Sequence, residues 1–98
     1  MDIYVIRWAK QVDGEWDCGN FDYSYTDEKS AAEAMLRDFN NIRFAWERDV
    51  KERNKDLVSR VDDGDNGIAD YCEVSVKGGG TNDFHKWWID KLAVEQEG

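Results

Sequence analysis

Two cysteines, one histidine and 22 carboxylates are the side chains with chemistry to offer in this 98-residue sequence. Cys18 and Cys72 lie far apart, with no C-x-x-C or H-x-x-x-H spacing around them, whereas zinc sites want about four closely paired ligands. They read as reduced, structural thiols. His85 stands in Asp83-Phe-His-Lys-Trp-Trp, where aromatic neighbours favour packing over proton transfer. Gly78-Gly79-Gly80 lacks the Lys-Ser/Thr of a phosphate loop, and no nucleophile elbow or dinucleotide fingerprint occurs. Carboxylate pairs are abundant, but no pattern points to a cleft that would set them against a substrate. No catalytic residue, metal ligand or cofactor is assigned, and the expectation is a protein that is not an enzyme.

One stretch invites a metal. Asp62-Asp-Gly-Asp-Asn-Gly-Ile-Ala-Asp70-Tyr-Cys-Glu73 matches the calcium-loop template at its first, fifth, sixth, ninth and twelfth positions, and fails at the third, Gly64. The residues after it alternate as a strand instead of continuing as a helix, so a hairpin turn is the preferred reading.

The carboxylates themselves carry more information. Thirteen basic residues against 22 acidic ones give a net charge of -9, which makes nucleic acid and anionic membranes poor direct partners and a basic protein surface the natural complement. Hydrophobic residues make up 41% and aromatics 13%, too much for a disordered acidic tail. No stretch approaches the roughly 20 apolar residues of a membrane span, and the Met-Asp-Ile-Tyr start lacks the features of a signal peptide, so the expected location is the cytoplasm.

Elements that position these groups follow from periodicity. Asp2 to Lys10 is a near-continuous apolar run that suits a central strand, and Asp13-Gly14 marks a hairpin turn. In the return strand Trp16 and Cys18 have one parity, and Phe21, Tyr23 and Tyr25 the other. A one-residue bulge at Gly19-Asn20 would bring all five to one face. Ala32, Met35, Phe39, Ile42, Trp46 and Val50 form a helical stripe, broadened by Leu36, Phe44 and Ala45. The helix would run to about Asn54, capped by Thr26 or by a Ser30-Ala-Ala-Glu33 capping box, with a bend allowed at Asn40-Asn41. A second hairpin covers Asp56 to Val76 and turns at Asp63 to Gly67. After the Gly78 to Gly80 turn, Thr81 or Asn82 can cap a short closing helix bearing Phe84, Trp88 and Leu92; the rival is a fifth strand through Lys86 to Asp90. The tail from Glu95 is expected to fray. The expected fold is one α+β domain over residues 1–98, an antiparallel sheet of about four strands packed on one long helix, with a short C-terminal helix (β-β-α-β-β-α).

Charge maps unevenly onto those elements. Residues 27–56 carry eight acids and seven bases, so the long helix is nearly neutral. Most of the remaining charge falls in two windows without a base, one containing Asp13, Glu15, Asp17 and Asp22 and running on to Asp27 and Glu28 at the start of the helix, the other Asp62, Asp63, Asp65, Asp70 and Glu73. Each window is a predicted hairpin, so negative side chains should crowd the hairpin side of the molecule. A solvated edge protected from aggregation needs no partner, whereas an anionic binding surface does. Trp16, Tyr23, Tyr25 and Tyr71 are interleaved with the acids and suit a contact ringed by charge. The candidate partner-binding residues are Asp13, Glu15, Trp16, Asp17, Asp22, Asp62, Asp63, Asp65, Asp70 and Glu73.

In size, acidity and lack of catalytic motifs the chain resembles the small proteins with which phages block bacterial defences, anti-CRISPR proteins among them. It is similar in the same way to immunity proteins for nuclease toxins. The resemblance is one of overall character, so it transfers no residue roles. It implies a non-catalytic inhibitor that covers the basic surface of a nucleic-acid-handling enzyme, such as a CRISPR effector nuclease. An antitoxin for a nuclease is the alternative. A structural module acting through Arg37, Arg43, Arg48, Lys51, Arg53 and Lys55 of the helix is a different class; interleaved acids there argue for a mixed surface. The oligomeric state is left open, a homodimer included, as is whether Trp87 and Trp88 are core or contact.

Overall fold

The computed structural model describes residues 1–52, 56–77 and 83–94. In chain order they form β1 (Asp2–Val12), β2 (Glu15–Tyr25), α1 (Glu28–Glu52), β3 (Asp56–Asp63), β4 (Ala69–Lys77) and β5 (Asp83–Ala93). The strands make one five-stranded antiparallel sheet in the order β2-β1-β5-β4-β3. The expected α+β class, the central position of β1 and the two hairpins are all present. The expected turn at Gly78 to Gly80, a cap at Thr81 or Asn82 and the tail from Glu95 lie outside the described residues.

The closing helix is replaced by a strand. β5 pairs with β1 from Asp2↔Ala93 to Gln11↔Phe84 and with β4 from Tyr71↔Trp88 to Val76↔Asp83. The spacing of Phe84, Trp88 and Leu92 satisfies a period of four, but all three are also even-numbered, so a period of two serves equally well. Two hairpins that each offer an unpaired inner edge decide between the periods. A strand in the gap satisfies main-chain donors and acceptors on both sides, which no helix in that place could do. His85, Trp87 and Ile89 consequently face the helix, and Phe84, Lys86, Trp88, Asp90 and Leu92 face away.

Along β1 the even residues Tyr4, Ile6 and Trp8 point toward α1. They join Cys72 and Val74 of β4, Trp87 of β5, and Ala31, Ala32, Met35 and Phe39 of α1 in the core. Trp87, Ile6 and Met35 are fully buried. The Trp87 indole meets the Phe39 ring edge-on at 5.7 Å and donates its Nε1 hydrogen to Asp38 Oδ2 at 2.8 Å, so its one polar atom is satisfied. Met35, Phe39 and Val50 of the helical stripe are buried as the periodicity requires. Phe44 and Ala45 do not extend it: both are exposed, lying on the flank that misses the sheet.

Asp27, and not Thr26 or Ser30, caps the helix. Its Oδ2 accepts from the Ser30 backbone N–H at 3.1 Å and the Ser30 hydroxyl at 2.8 Å, while its carbonyl accepts from the Ala31 N–H. The bonds from Ser30 hold the Asp27 carboxyl below the usual carboxylate range. α1 then continues unbroken through Asn40-Asn41.

In β2 the irregularity lies two residues beyond Gly19-Asn20. Register passes from Val5↔Ser24 to Arg7↔Asn20, so Ile6 alone faces Phe21, Asp22 and Tyr23. Two extra residues preserve the alternation that one would have reversed. Trp16 and Cys18 therefore stay on the face away from α1, while Phe21 and Tyr25 pack toward the core. Gly19 sits in regular register opposite Trp8, where a Cβ would lie 2.9 Å from the Trp8 ring. Its missing side chain makes room for that indole.

Replacing Trp87 by alanine removes the largest core side chain and strands the Asp38 carboxylate. The expected loss is roughly 3–5 kcal/mol, read as a lowered urea midpoint, with helical circular dichroism outlasting the near-ultraviolet tryptophan signal.

Candidate binding surfaces

Strand direction fixes where the acidic windows go. β1 and β4 each run antiparallel to β5, so they run the same way. The turn after β1 is therefore at one end of the sheet and the loop before β4 at the other. β2 and β3 are the two edges, so the two acidic turns occupy diagonally opposite corners, while Asp22 lies along β2 and Glu28 reaches the Asn66 loop of the second corner. An eleven-residue strand, about 35 Å long, separates the ends. The expectation that all these acids crowd one side gives way to two separate acidic corners, because β5 lies between the hairpins.

At the first corner Asp13 and Gly14 take positive φ values of 54° and 82°, the geometry of a tight two-residue hairpin. The Asp13 N–H donates to Asp83 Oδ1 at 3.0 Å, which ties the turn to the start of β5. Glu15 and Asp17 project from one face of β2, both exposed, and line a shallow hollow of about 490 Å³ with Lys10 and Trp16. Asp22 is exposed within the irregular part of the same edge strand. At the second corner Asp63 and Asp65 are exposed and Asp70 is half-buried. Asn66 holds this loop in place: its Oδ1 accepts from the Ile68 N–H, and its Nδ2 donates to Glu28 Oε2 in the first turn of α1. Among the described residues no Lys or Arg forms an ion pair with Asp13, Glu15, Asp17, Asp22, Asp63, Asp65 or Asp70. No group of three or more His, Cys, Asp and Glu side chains there is placed to hold a metal ion.

Asp62 and Glu73 belong elsewhere, on the face of the sheet opposite α1, and Trp16 reaches that face from the first corner. That face is built of cross-strand rows. One runs Val58, Ser75, Phe84, Gln11, Trp16; the next Arg60, Glu73, Lys86, Ala9, Cys18; the next Asp62, Tyr71, Trp88, Arg7, Asn20. Trp16 meets Phe84 edge-on at 5.1 Å, and the cationic ends of Lys86 and Arg60 lie over Trp88 and Tyr71 at 5.8 and 5.3 Å. Arg60 bridges Asp62 and Glu73 at 3.2 and 3.4 Å, Arg7 pairs with Asp90, and the Tyr71 hydroxyl donates to Glu73 Oε2. Burial and then the Glu73 charge push the Tyr71 phenol upward. Arg7, Phe84 and Lys86 were not candidates by sequence and Trp88 was open between core and contact, since a helical reading of residues 83–93 scatters Phe84, Lys86 and Trp88 and parts them from Arg7 of β1; the shared even parity of Phe84, Lys86, Trp88, Asp90 and Leu92 was the available signal.

Cys72 and His85 lie in the core instead. Cys72 is fully buried, and desolvation, with Asp38 nearby, pushes its thiol up to about 12, so it stays protonated and unreactive. Cys18 is a free thiol on the open face. His85 is buried between Trp8 and Trp87, stacked on Trp87 at 3.8 Å, with no hydrogen-bond partner at Nε2. Burial, reinforced by Lys10 and opposed by Asp38, lowers its pKa to about 4. It is a neutral aromatic of the core.

Among the described residues no helix is long and apolar enough to cross a membrane. Comparison with protein-family models, curated proteins and solved structures finds no match to this chain.

Because the folded-state pKa of His85 lies below its unfolded value, the unfolded chain binds the extra proton. Stability is therefore fully present above about pH 6.5 and declines as pH falls toward 4. His85→Phe, which keeps a ring against Trp87, should flatten the decline of the denaturation midpoint between about pH 6.5 and 5. An unchanged slope would show that this imidazole is not the group responsible.

Proposed function

We propose that this chain is a non-catalytic binding protein for a basic protein surface, of the kind a nuclease or other nucleic-acid-handling enzyme presents, and that covering this surface is its activity. One observation carries the proposal: carboxylates at both corners of the sheet stand exposed without ion pairs among the described residues, while acids on the open face are paired. Uncompensated like charge is unfavourable for a compact fold and useful for drawing in a cationic partner. Glu15, Asp17, Asp63 and Asp65 supply the long-range attraction, and their separation suits a partner whose positive charge extends along a channel. A CRISPR effector or other defence nuclease fits this chemistry, and so does a nuclease toxin met by its immunity protein. Both settings are cytoplasmic, and two free thiols accord with that compartment.

A second class retains one supporting feature. Phe44 is 66% exposed beside a hollow of about 370 Å³ lined by Glu47, Arg48, Val50, Lys51 and Leu57, so the C-terminal half of α1 offers an apolar contact with a mixed-charge rim. An assembly module working through the helix would use that surface and leave the acidic corners idle.

Charge reversal separates the two. Against purified nucleases with basic substrate channels, Glu15→Lys/Asp17→Lys and Asp63→Lys/Asp65→Lys should each slow association about tenfold at roughly 50 mM salt and relieve inhibition of cleavage, with the difference fading near about 500 mM. Glu33→Lys/Glu47→Lys on the helix should stay within about twofold of the parent. Equal losses from corner and helix variants would remove the basis for the proposal.

A further inference from the structure

The face of the sheet opposite α1 has no covering element among the described residues, yet its composition is not that of a solvent face. Trp16 is 62% exposed, Val58 45% and Leu92 41%, and they stand at the margins of a surface that also carries Phe84, Trp88 and Tyr71. Its charges cancel: Arg7, Arg60, Lys77 and Lys86 against Asp56, Asp62, Glu73 and Asp90. Most of them are already engaged within the face, Arg7 with Asp90 and Arg60 with Asp62 and Glu73.

We infer that two copies of this chain associate through these sheet faces, packing sheet on sheet into an isologous dimer with α1 on both outer sides. Charge argues for a second copy over other occupants. A basic partner would gain nothing from a neutral face while exposed acids lie at the corners. Nucleic acid would have to take Arg7 and Arg60 from the carboxylates that hold them. Two chains of net charge -9 can approach closely only where neither presents an excess, and this face meets that condition.

Area agrees. Five strands at about 4.8 Å spacing, over roughly nine residues at 3.3 Å each, give about 700 Å² per copy, close to the roughly 800 Å² per partner of a standard specific interface. Sheets packed in this way lie about 10 Å apart at about 30°, a distance the aromatic side chains can fill. The face meets the first acidic corner only at Trp16, and the test below leaves that residue and the corner acids unchanged, so either proposal can fail without the other.

Sedimentation velocity from about 1 to 200 μM decides it, at roughly 50 and 500 mM salt. The expected species at high concentration has twice the 11.4 kDa chain mass. Because net repulsion opposes pairing, the dimer should tighten as salt rises, the reverse of what binding to a basic partner would show. Val58→Lys/Leu92→Lys changes two exposed side chains at opposite margins of the face and should leave the circular dichroism spectrum intact while weakening association at least tenfold. A monomer at every concentration and salt overturns the inference. So does a dimer indifferent to that variant, or a labelled single-stranded RNA probe whose binding the variant abolishes.

Discussion

Main-chain hydrogen bonding along both edges of β5 is what makes one sheet out of two hairpins. Without it, β1 and β4 would each keep an open inner edge, and α1 would have two narrow ribbons beneath it instead of a continuous floor. With it, Trp87 is carried to the middle of the sheet, where it is fully buried against Phe39 and tied to Asp38. The same insertion separates the acidic turns. Placing a strand between the hairpins moves their tips to opposite corners, so the pairing that closes the core also sets the distribution of charge.

The local parts of this design could be read from residue order. The Asp13-Gly14 turn, the long amphipathic helix and the alternation of Cys72, Val74 and Val76 each depend on neighbours within a few positions, where sequence pattern is informative. The identity of β5 was not legible in that way. Phe84, Trp88 and Leu92 fit both periods, and what chose between them was the pair of edges formed by residues at least seven positions and as many as 91 away. The two-residue irregularity in β2 is similar, since parity alone showed that β2 required a correction or two faces, and only pairing with β1 showed which. Acidic residues were identified correctly as exposed for the most part. Their grouping into two corners, with Asp62 and Glu73 drawn into pairs around Arg60, depended on strand order.

A division of labour between surfaces emerges from the charges. α1 is close to neutral, the open sheet face is balanced by internal pairs, and uncompensated carboxylates sit at turns and along the β2 edge. That placement limits the damage of like charge, because turns diverge into water and their side chains need not stack in register. It also leaves the aromatic face available for contacts without a charge mismatch. Two copies joined there would display four acidic corners around a shared neutral seam, and a partner reaching more than one of them would gain from linkage without any new contact.

The element that completes the sheet is also the last of the six to be made. While a ribosome is still extending the chain, β1 and β4 have emerged but their shared neighbour has not, and the indole of Trp87 is missing from beneath the helix. Early segments can form a ribbon and a transient helix, but consolidation must wait for the distal residues. The nascent molecule thus passes through a stage with two unsatisfied inner margins, a state that invites strand exchange between neighbouring nascent chains. Rapid capture of the final strand is the step on which escape from that hazard depends.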